Sequence, residues 1–386
     1  MPRFQALLLS CCVGLACTSY TISPRTFGVA RWQGFASERV SLAAGGGQAR
    51  GLHVADVDGD GVRDLVAVAA REERVCIHHG LGDGAFAPPR CLPAGTTPMD
   101  VAVSDVNGDG HQDLLIVGHF SNAMTVRLGD GRGGFREGTP YSLGNHSQQV
   151  RVADLDGDGH LDAITKNAGS GGFFNITTLK GRGDGTFSAA VPHPVTGLPR
   201  DLMLADVSAD GLPDVLVLNT NSFTVDILLA RKDGSLASIP PLRLTGSVDD
   251  EPFRLAPVDV NGDGLLDLVI SHGLSGAGYL SVHLGDGTGG FLPSKAVPAE
   301  EPGEVVVADF NQDGRVDVAH AGLSGGVYLL LGQEGGELGP AVRVAATPTP
   351  TSLVAEDLDD DGFPDLAWTT QDTVEVLLGS TVRGAP

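Results

Sequence analysis

One short acidic pattern recurs seven times in this chain and constrains its fold more than any other feature. Each copy spans nine residues, with Asp at positions 1, 5 and 9, Asp, Asn or Ser at position 3, and Gly at position 6. The copies begin at Asp56, Asp105, Asp154, Asp206, Asp259, Asp309 and Asp357, with successive spacings of 49, 49, 52, 53, 50 and 48 residues. A fixed period near fifty residues indicates one supersecondary unit that is stacked repeatedly, so the 386 residues need not divide into several domains.

Four short β-strands are predicted in each unit. In the first repeat, residues 52–55 lead into the acidic loop, and 65–68, 75–77 and 90–92 follow it, separated by turns rich in Gly and Asp. No segment shows helical periodicity. Four strands at this period are typical of a propeller blade. We therefore predict an all-β fold, a seven-bladed β-propeller of four-stranded blades over residues 34–380, with a C-terminal tail at 381–386.

The seventh repeat lacks its fourth strand. After Gly379 only a short tail remains, whereas residues 35–40 precede the first acidic loop just as 86–91 precede the second. We therefore predict that the segment from Phe35 to Leu42 supplies the outer strand of the last blade and pairs with residues 374–378. That pairing closes the ring and leaves no open sheet edge.

The acidic loops have the donor pattern of a calcium site. Oxygen ligands from side chains 1, 3, 5 and 9 and the carbonyl of residue 7 suit a hard cation of that size. An EF-hand would need Glu at position 12 and flanking helices, but position 12 is Ala67 in the first loop and is never Glu. A single Asp-Gly run would be an ordinary turn. Recurrence in seven copies favours up to seven Ca²⁺ ions with a structural rather than a catalytic role.

In residues and spacing, these loops resemble the FG-GAP/VCBS propeller repeats, a family that includes the integrin α-subunit head. The resemblance runs from Phe35 to Gly379, and it implies a set of metal ligands in each loop. These are Asp56, Asp58, Asp60 and Asp64; Asp105, Asn107, Asp109 and Asp113; Asp154, Asp156, Asp158 and Asp162; Asp206, Ser208, Asp210 and Asp214; Asp259, Asn261, Asp263 and Asp267; Asp309, Asn311, Asp313 and Asp317; Asp357, Asp359, Asp361 and Asp365. The loop with Ser208 should be the weakest site.

The net charge of -23 belongs almost entirely to these loops. Their predicted ligand positions hold 24 of the 48 acidic residues, so the rest of the chain carries about +1 (-23 + 24). Acidity this local indicates charge placed for cations rather than a solubilising coat. No nucleic-acid partner is expected.

The N-terminus is typical of an export signal. Arg3 precedes an apolar stretch at 6–15, so residues 1–16 are predicted to be a signal peptide and 17–33 a tether. Cys17 directly after the cut resembles the lipidated cysteine of a bacterial lipoprotein, although Gly14 stands where that family prefers Leu. Acylation of Cys17 would leave Cys76 and Cys91 to form a disulfide. The protein is thus expected to be exported, either as an outer-membrane or cell-surface lipoprotein or as a freely secreted protein. Any contact with a membrane is expected only through the lipid anchor.

Binding of a glycan or protein ligand is favoured over catalysis. In the family, the calcium loops lie opposite the face that carries the hairpins between second and third strands. The candidate binding face is therefore 119–122, 173–175, 219–223, His272 and 368–371. One alternative is a polysaccharide-active enzyme of the lyase or dehydratase type, which needs a base such as Lys, His or Tyr in a cleft. Another is a scaffold subunit of an envelope assembly. Ordinary polar hairpin tips would explain the same segments.

Overall fold

The seven repeats form seven antiparallel sheets in a computed structural model of the chain, six of four strands and one, from the fourth repeat, of five. The structure describes residues 32–36, 39–143, 146–169, 174–245, 251–273 and 278–381. The predicted signal peptide at 1–16, Cys17, the tether up to residue 31 and the tail from residue 382 lie outside the described residues. Within the described part, none of the helices is long and apolar enough to cross a bilayer.

The strands follow the repeat, and each acidic loop joins the first two strands of a blade. Before the first loop come β1 (Trp32–Phe35) and β2 (Val40–Ala43). Blade one is β3 (Ala49–Ala55), β4 (Asp64–Ala69), β5 (Arg74–His78) and β8 (Arg90–Pro93), with β6 (Gly80–Gly82) and β7 (Ala85–Phe86) in its last turn. Blade two is β9 (Pro98–Ser104), β10 (Asp113–Gly118), β11 (Ala123–Arg127) and β12 (Thr139–Ser142). Blade three is β13 (Ser147–Ala153), β14 (Asp162–Ala168), β15 (Phe174–Leu179) and β16 (Val191–Pro194). Blade four is β17 (Pro199–Ala205), β18 (Asp214–Asn219) and β19 (Thr224–Ala230), with β20 (Leu236–Ser238) and β21 (Leu242–Arg243) both on its outer edge.

The remaining blades repeat this plan. Blade five is β22 (Pro252–Val258), β23 (Asp267–His272), β24 (Tyr279–His283) and β25 (Lys295–Pro298). Blade six is β26 (Pro302–Ala308), β27 (Asp317–Gly322), β28 (Val327–Leu330) and β29 (Val342–Ala345). Blade seven is β30 (Ser352–Glu356), β31 (Asp365–Thr369) and β32 (Thr373–Leu377), completed by β2, and β33 (Gly379–Thr381) follows it. Short 3₁₀ turns lie at Ala70–Glu72 and Glu334–Gly336.

The predicted ring closure is confirmed. Strand β2 pairs antiparallel with β32, and Val40 lies opposite Val376 and Leu42 opposite Val374. The structure adds a pairing that the sequence did not suggest, because β1 pairs with β33. Strand β1 starts two residues before the predicted propeller boundary at 34. The Phe35 ring packs edge-on against Phe310 of blade six at 5.8 Å. Two segments of the N-terminal region therefore fasten the ring.

The core lies between neighbouring blades. Along β4 every residue is buried, and alternate side chains point to opposite sides of the sheet. Leu65 and Ala67 pack against blade seven, while Val66 and Val68 pack against blade two. Both faces of a second strand are thus covered, which explains why these strands are continuous apolar runs rather than alternating ones.

The two ends of the ring differ. Because strands alternate in direction, the acidic loops and the turns between third and fourth strands share one end, which we call the loop face. The hairpins between second and third strands and the links between blades share the other end, which we call the cavity face. The first strands of adjacent blades contact each other around the ring, from β3 through β30 and back to β3, and so line its centre.

Cys76 and Cys91 lie directly opposite each other on β5 and β8. The structure joins them in a disulfide. Gly45 packs against this pair: a Cβ on it would lie 2.5 Å from Cys76 Sγ, and its φ is +75°. Glycine is therefore required there. Oxidation of the two thiols in the cell, expected if the protein is exported, remains a prediction.

Candidate functional sites: the acidic loops and a central cavity

The ninth residue of every acidic loop is a buried anchor. Asp64 accepts hydrogen bonds from Val57 N at 2.9 Å and from Gly80 N at 2.8 Å. The same pair of bonds, one from within the loop and one from the residue at or just after the end of the third strand, is accepted by Asp113, Asp162, Asp214, Asp267, Asp317 and Asp365. Since each bond satisfies a backbone N–H away from water, these carboxylates organise the loop face in addition to any role as ligands.

The earlier acids of each loop fold the chain back on itself. In the first loop, Asp56 accepts from Gly59 N at 2.7 Å and from Gly61 N at 2.9 Å, and Asp60 accepts from Val62 N at 2.8 Å. Carboxylate oxygens have further lone pairs, so these bonds leave acceptor capacity for a cation.

Acidic ligand atoms come together in the three loops that have Asp at position 3. Ligand atoms of Asp56, Asp58 and Asp60 all lie within 4.8 Å of one another, as do those of two further groups. These are Asp154, Asp156 and Asp162, and Asp357, Asp359 and Asp361. Two oxygens bound to one Ca²⁺ at about 2.3–2.6 Å lie at most about 5 Å apart, so the first, third and seventh loops have suitable geometry.

Loops with Asn at position 3 are arranged differently. Asn107 Nδ2 donates to Asp109 Oδ2 at 3.0 Å, and Asn261 and Asn311 make the same bond to Asp263 and Asp313 at 2.9 Å and 3.2 Å. In each case the amide oxygen also accepts from the backbone N–H of position 5. The fourth loop has the Ser208 hydroxyl in place of this amide.

The third loop carries its own cation. Lys180 Nζ contacts the Asp156 carboxylate and lies 3.1 Å from Asp158 Oδ2. These two carboxylates raise the pKa of Lys180 above its ordinary value. The equivalent residue, just before the turn of the blade, is Leu128, Leu229, Leu284, Leu331 and Leu378 in five other blades. Sequence reasoning missed Lys180, although a charge where most repeats have Leu was the available signal.

The first loop has a histidine at that same position. His79 Nδ1 lies 3.2 Å from Asp58 Oδ2 and 3.5 Å from Asp64 Oδ2. An imidazole nitrogen can itself serve as a metal ligand, which the ammonium group of Lys180 cannot do. Of the three loops with suitable acids, the third is therefore the one in which a lysine occupies the cation position.

Burial disfavours the charge of the ninth residues. It raises the pKa of Asp113, Asp162 and Asp317 to about 6 and that of Asp365 to about 8, although backbone N–H donors act in the opposite direction. A bound cation would lower these pKa values again, since it favours the charged form.

Several residues of the predicted binding face are buried, so that expectation is wrong for them. Trp368 is fully buried and donates from Nε1 to Thr347 Oγ1 at 3.1 Å. His272 stacks on Tyr279 and bonds Ser281 Oγ at 2.8 Å, and Asn219 is also buried. The reason is that the second strand of each blade stays between its neighbours up to its last residue. Phe120, 63% exposed beside His119, does lie at the surface, and residues 170–173 are outside the described residues.

A charged cavity at the centre of the ring was not predicted from the sequence. Its volume is about 490 Å³, and the starts of the first strands line it, near the cavity face. Its ionisable residues are Arg50, His53, Asp100, Arg151, Lys166, Arg200, Asp201, Arg254 and Glu304. Five cations against three carboxylates make its lining +2 with His neutral and Lys166 protonated, in a chain of net charge -23.

Some of these residues link the blades to one another. In four blades, the side chain of the fifth residue before the acidic loop accepts a hydrogen bond from a backbone N–H in the next blade's first strand: Asp100 from Val150 at 3.1 Å and Asp201 from Leu255 at 3.0 Å. Gln149 and Ser352 do the same with Leu202 and Leu52. We call these four side chains the interblade clamps. A polar residue at a constant offset in an apolar strand was the signal for them.

The sequence similarity to known proteins follows the acidic loops, since each matched range begins at the first Asp of one of them. A family model described as an FG-GAP-like repeat matches residues 56–116, 105–165, 206–270, 259–320 and 309–368. Together these matches cover more than half of the chain. The chain belongs to the FG-GAP-like repeat family. Within this FG-GAP-like protein, the stretch from 166 to 205 lies between matches, and it holds both Lys166 and Lys180.

Solved structures share the propeller fold at low sequence identity. BBS1N, crystallised in complex with ARL6DN, is 15% identical, with 90% of this chain and 98% of that chain covered and a TM-score of 0.60. A protein from Lactobacillus plantarum is 15% identical over 78% of this chain and 86% of its own, with a TM-score of 0.55. A functionally unknown protein from Desulfotomaculum acetoxidans DSM 771 is 14% identical over 83% and 95%, with a TM-score of 0.52. No curated protein matches the sequence.

Proposed function

We propose that this protein is an exported, calcium-stabilised binding propeller that recognises a glycan or protein ligand at its cavity face. The observation that carries the proposal is the separation of the two ends of the ring. Clustered loop carboxylates lie at one end, and an open cavity of about 490 Å³ with convergent polar groups lies toward the other. A pocket of this size and polarity is suited to holding a ligand.

Calcium has a structural role in this proposal. The first and seventh loops would hold it through Asp56, Asp58 and Asp60 and through Asp357, Asp359 and Asp361. When bound, the ion would neutralise carboxylates that otherwise repel one another at a few ångströms. Removal of calcium by a chelator should therefore lower the melting temperature, with recovery on adding calcium and little on adding magnesium. An unchanged melt in chelator would contradict the calcium part of the proposal.

Ligand binding is tested with the calcium-loaded protein on an array of glycans and proteins. The BBS1N structure contains a complex with ARL6DN, so a chain of this fold is known to hold a protein partner. A reproducible hit should be lost on competition with soluble ligand and retained when an exposed loop-face residue such as Arg132 is replaced. Failure to bind any glycan, protein or envelope fraction would contradict the binding function.

Polysaccharide cleavage is a second candidate, and one observation favours it. Lys166 lies in the cavity and is 6% exposed, and burial, aided by Arg254, lowers its pKa to about 7. An amine of that pKa is suited to general-base chemistry. Appearance of an unsaturated product from a polyuronate, lost in Lys166→Met, would establish this activity. A scaffold role in an envelope assembly instead predicts co-purification of other envelope proteins with the full chain.

Export and lipidation complete the proposal. Incorporation of labelled palmitate that is abolished by Cys17→Ala would support a lipid anchor. Release of unlabelled protein into the medium would support the freely secreted alternative instead.

A further inference from the structure

Three cations of the central cavity form no direct ion pair among the described residues, and carboxylates such as Glu251 and Glu304 act on Arg200 only at longer range. The ion pairs in the cavity join Arg151 to Asp100 at 3.0 Å and Arg254 to Glu304 at 2.6 Å. His53 also lies 3.3 Å from Asp100. Arg50, Lys166 and Arg200 form no such pair within the described ranges. Unpaired positive charge away from bulk water is costly, so its concentration at one place in a strongly acidic protein calls for a counter-ion.

Arg200 is positioned by stacking rather than by a salt bridge. Its guanidinium carbon lies 3.8 Å from the centroid of the Phe253 ring. That contact covers one face of the guanidinium group, and the N–H groups around its edge need acceptors other than the ring. Arg200 Nε is buried and has no hydrogen-bond partner among the described residues, and the same holds for Arg151 Nε. Both Nε atoms are closed to solvent, so an acceptor from outside the chain would have to meet the terminal Nη groups of Arg200, a residue that is only half-buried as a whole.

Lys166 adds further donor capacity in the same cavity. Its Nζ donates to the backbone oxygen of Arg200 at 2.5 Å, which uses one of the three donors of an ammonium group. This bond also places the amine beside the strand that carries Arg200. Burial lowers the pKa of Lys166 to about 7, and a nearby anion would restore its charge.

The carboxylates of the cavity are already occupied by the protein. Asp100 and Asp201 are interblade clamps with backbone N–H partners, and Glu304 forms a two-point pair with Arg254 through contacts of 2.6 Å and 2.9 Å. Rearrangement toward Arg200 would break these bonds. The carboxylates of the cavity therefore do not serve as partners for Arg50, Lys166 and Arg200.

We propose that the central cavity binds the oxyanion group, carboxylate or phosphate, of a small ligand that enters from the cavity face, with Arg200 as the main contact and Lys166 and Arg50 beside it. This inference rests on the proposed binding function and names the ligand chemistry. The planar fork of an arginine side chain matches such a group. The volume of about 490 Å³ is large enough for a sugar acid or a comparable small molecule.

The test is calorimetric titration of the calcium-loaded full chain with three probes: inorganic phosphate, glucuronate and, as the neutral control, glucose. We expect phosphate or glucuronate to bind and glucose not to bind. The two acidic probes distinguish a phosphate ligand from a carboxylate ligand. Arg200→Gln should weaken binding of the preferred probe by about tenfold or more, since it removes charge-assisted hydrogen bonds.

The matched control is Arg132→Gln, an exposed arginine on the loop face of blade two, which should bind like the parent protein. A thermal melt of each variant in calcium shows whether it folds, and if Arg200→Gln does not, Arg200→Lys keeps the charge and removes the fork. Equal affinity of the parent and the folded Arg200 variant, or failure of both acidic probes, would overturn the inference. Array ligands that still bind Arg200→Gln unchanged would overturn it while leaving the binding function intact.

Discussion

The interblade clamp at Asp201 provides the sharpest test of how the ring is held together. Asp201 is 1% exposed, and its carboxylate accepts from Leu255 N at 3.0 Å and from Gln149 Nε2 at 2.9 Å. The first bond crosses from blade four to blade five, and the second reaches back to blade three. Asp201→Ala removes the acceptor of both and leaves two buried donors without partners.

The expected cost follows from those two donors. A buried donor left unsatisfied costs about 1–3 kcal/mol, and loss of a carboxylate also leaves the lining of the cavity more positive. We therefore expect Asp201→Ala to lower the free energy of unfolding by about 3–5 kcal/mol. Asp201→Asn retains one acceptor oxygen and should lose less, about 1–2 kcal/mol. Replacement of the exposed Glu137 in blade two by Ala is the control and should change stability by less than about 0.5 kcal/mol.

The effect of Asp201 should also depend on pH. Burial acts to raise the pKa of Asp201, but Arg254 and the N–H donors outweigh it and hold this pKa below its ordinary value. A carboxyl with a depressed folded pKa stabilises the protein above its unfolded pKa, about 3.9, and loses that contribution as the pH falls through the folded value. Urea unfolding with calcium present should thus show the full difference between parent and Asp201→Ala at pH 7 and a smaller one below about pH 4. A difference under about 1 kcal/mol at pH 7 would refute the clamp.

Three further predictions concern the closure, the disulfide and the loops. Deletion of residues 17–43 should cause aggregation or loss of cooperative unfolding, because it removes β2, whose Val40 and Leu42 pair with β32, and leaves that strand edge open. Deletion of 17–30 should leave the melt unchanged. Equal behaviour of the two deletions would contradict ring closure. Thiol counting on denatured, unreduced protein should find Cys76 and Cys91 oxidised, and two free thiols would rule out their disulfide. Lys180→Ala should add about one calcium ion per chain to the stoichiometry, since it frees Asp156 and Asp158; an unchanged stoichiometry would show that Lys180 does not compete with calcium.

Much of the architecture could be predicted from the sequence because its causes are local and repeated. A strand pattern of a few residues, a loop of nine and a period near fifty recur seven times, and each copy supports the assignment of the others. The missing fourth strand of the last repeat even indicated which N-terminal segment closes the ring, and Val40 opposite Val376 confirms it.

Other features depended on residues that the fold brings together from distant repeats. Trp368 and His272 look like hairpin-tip residues in the sequence, but both are buried because each blade is packed on two sides. The contact of Lys180 with Asp156 joins residues 24 apart that no loop motif connects.

The sequence by itself determined the number of blades, the position of the acidic loops and the strand that closes the ring, since these follow from short-range patterns and counting. Only the tertiary structure decided where charge accumulates. Arg50, Lys166 and Arg200 come from three different blades, and they share one cavity because the ring places the starts of its first strands, together with the end of β14 that carries Lys166, around a common centre. Curvature of the whole ring produces that meeting point, and no single repeat encodes it.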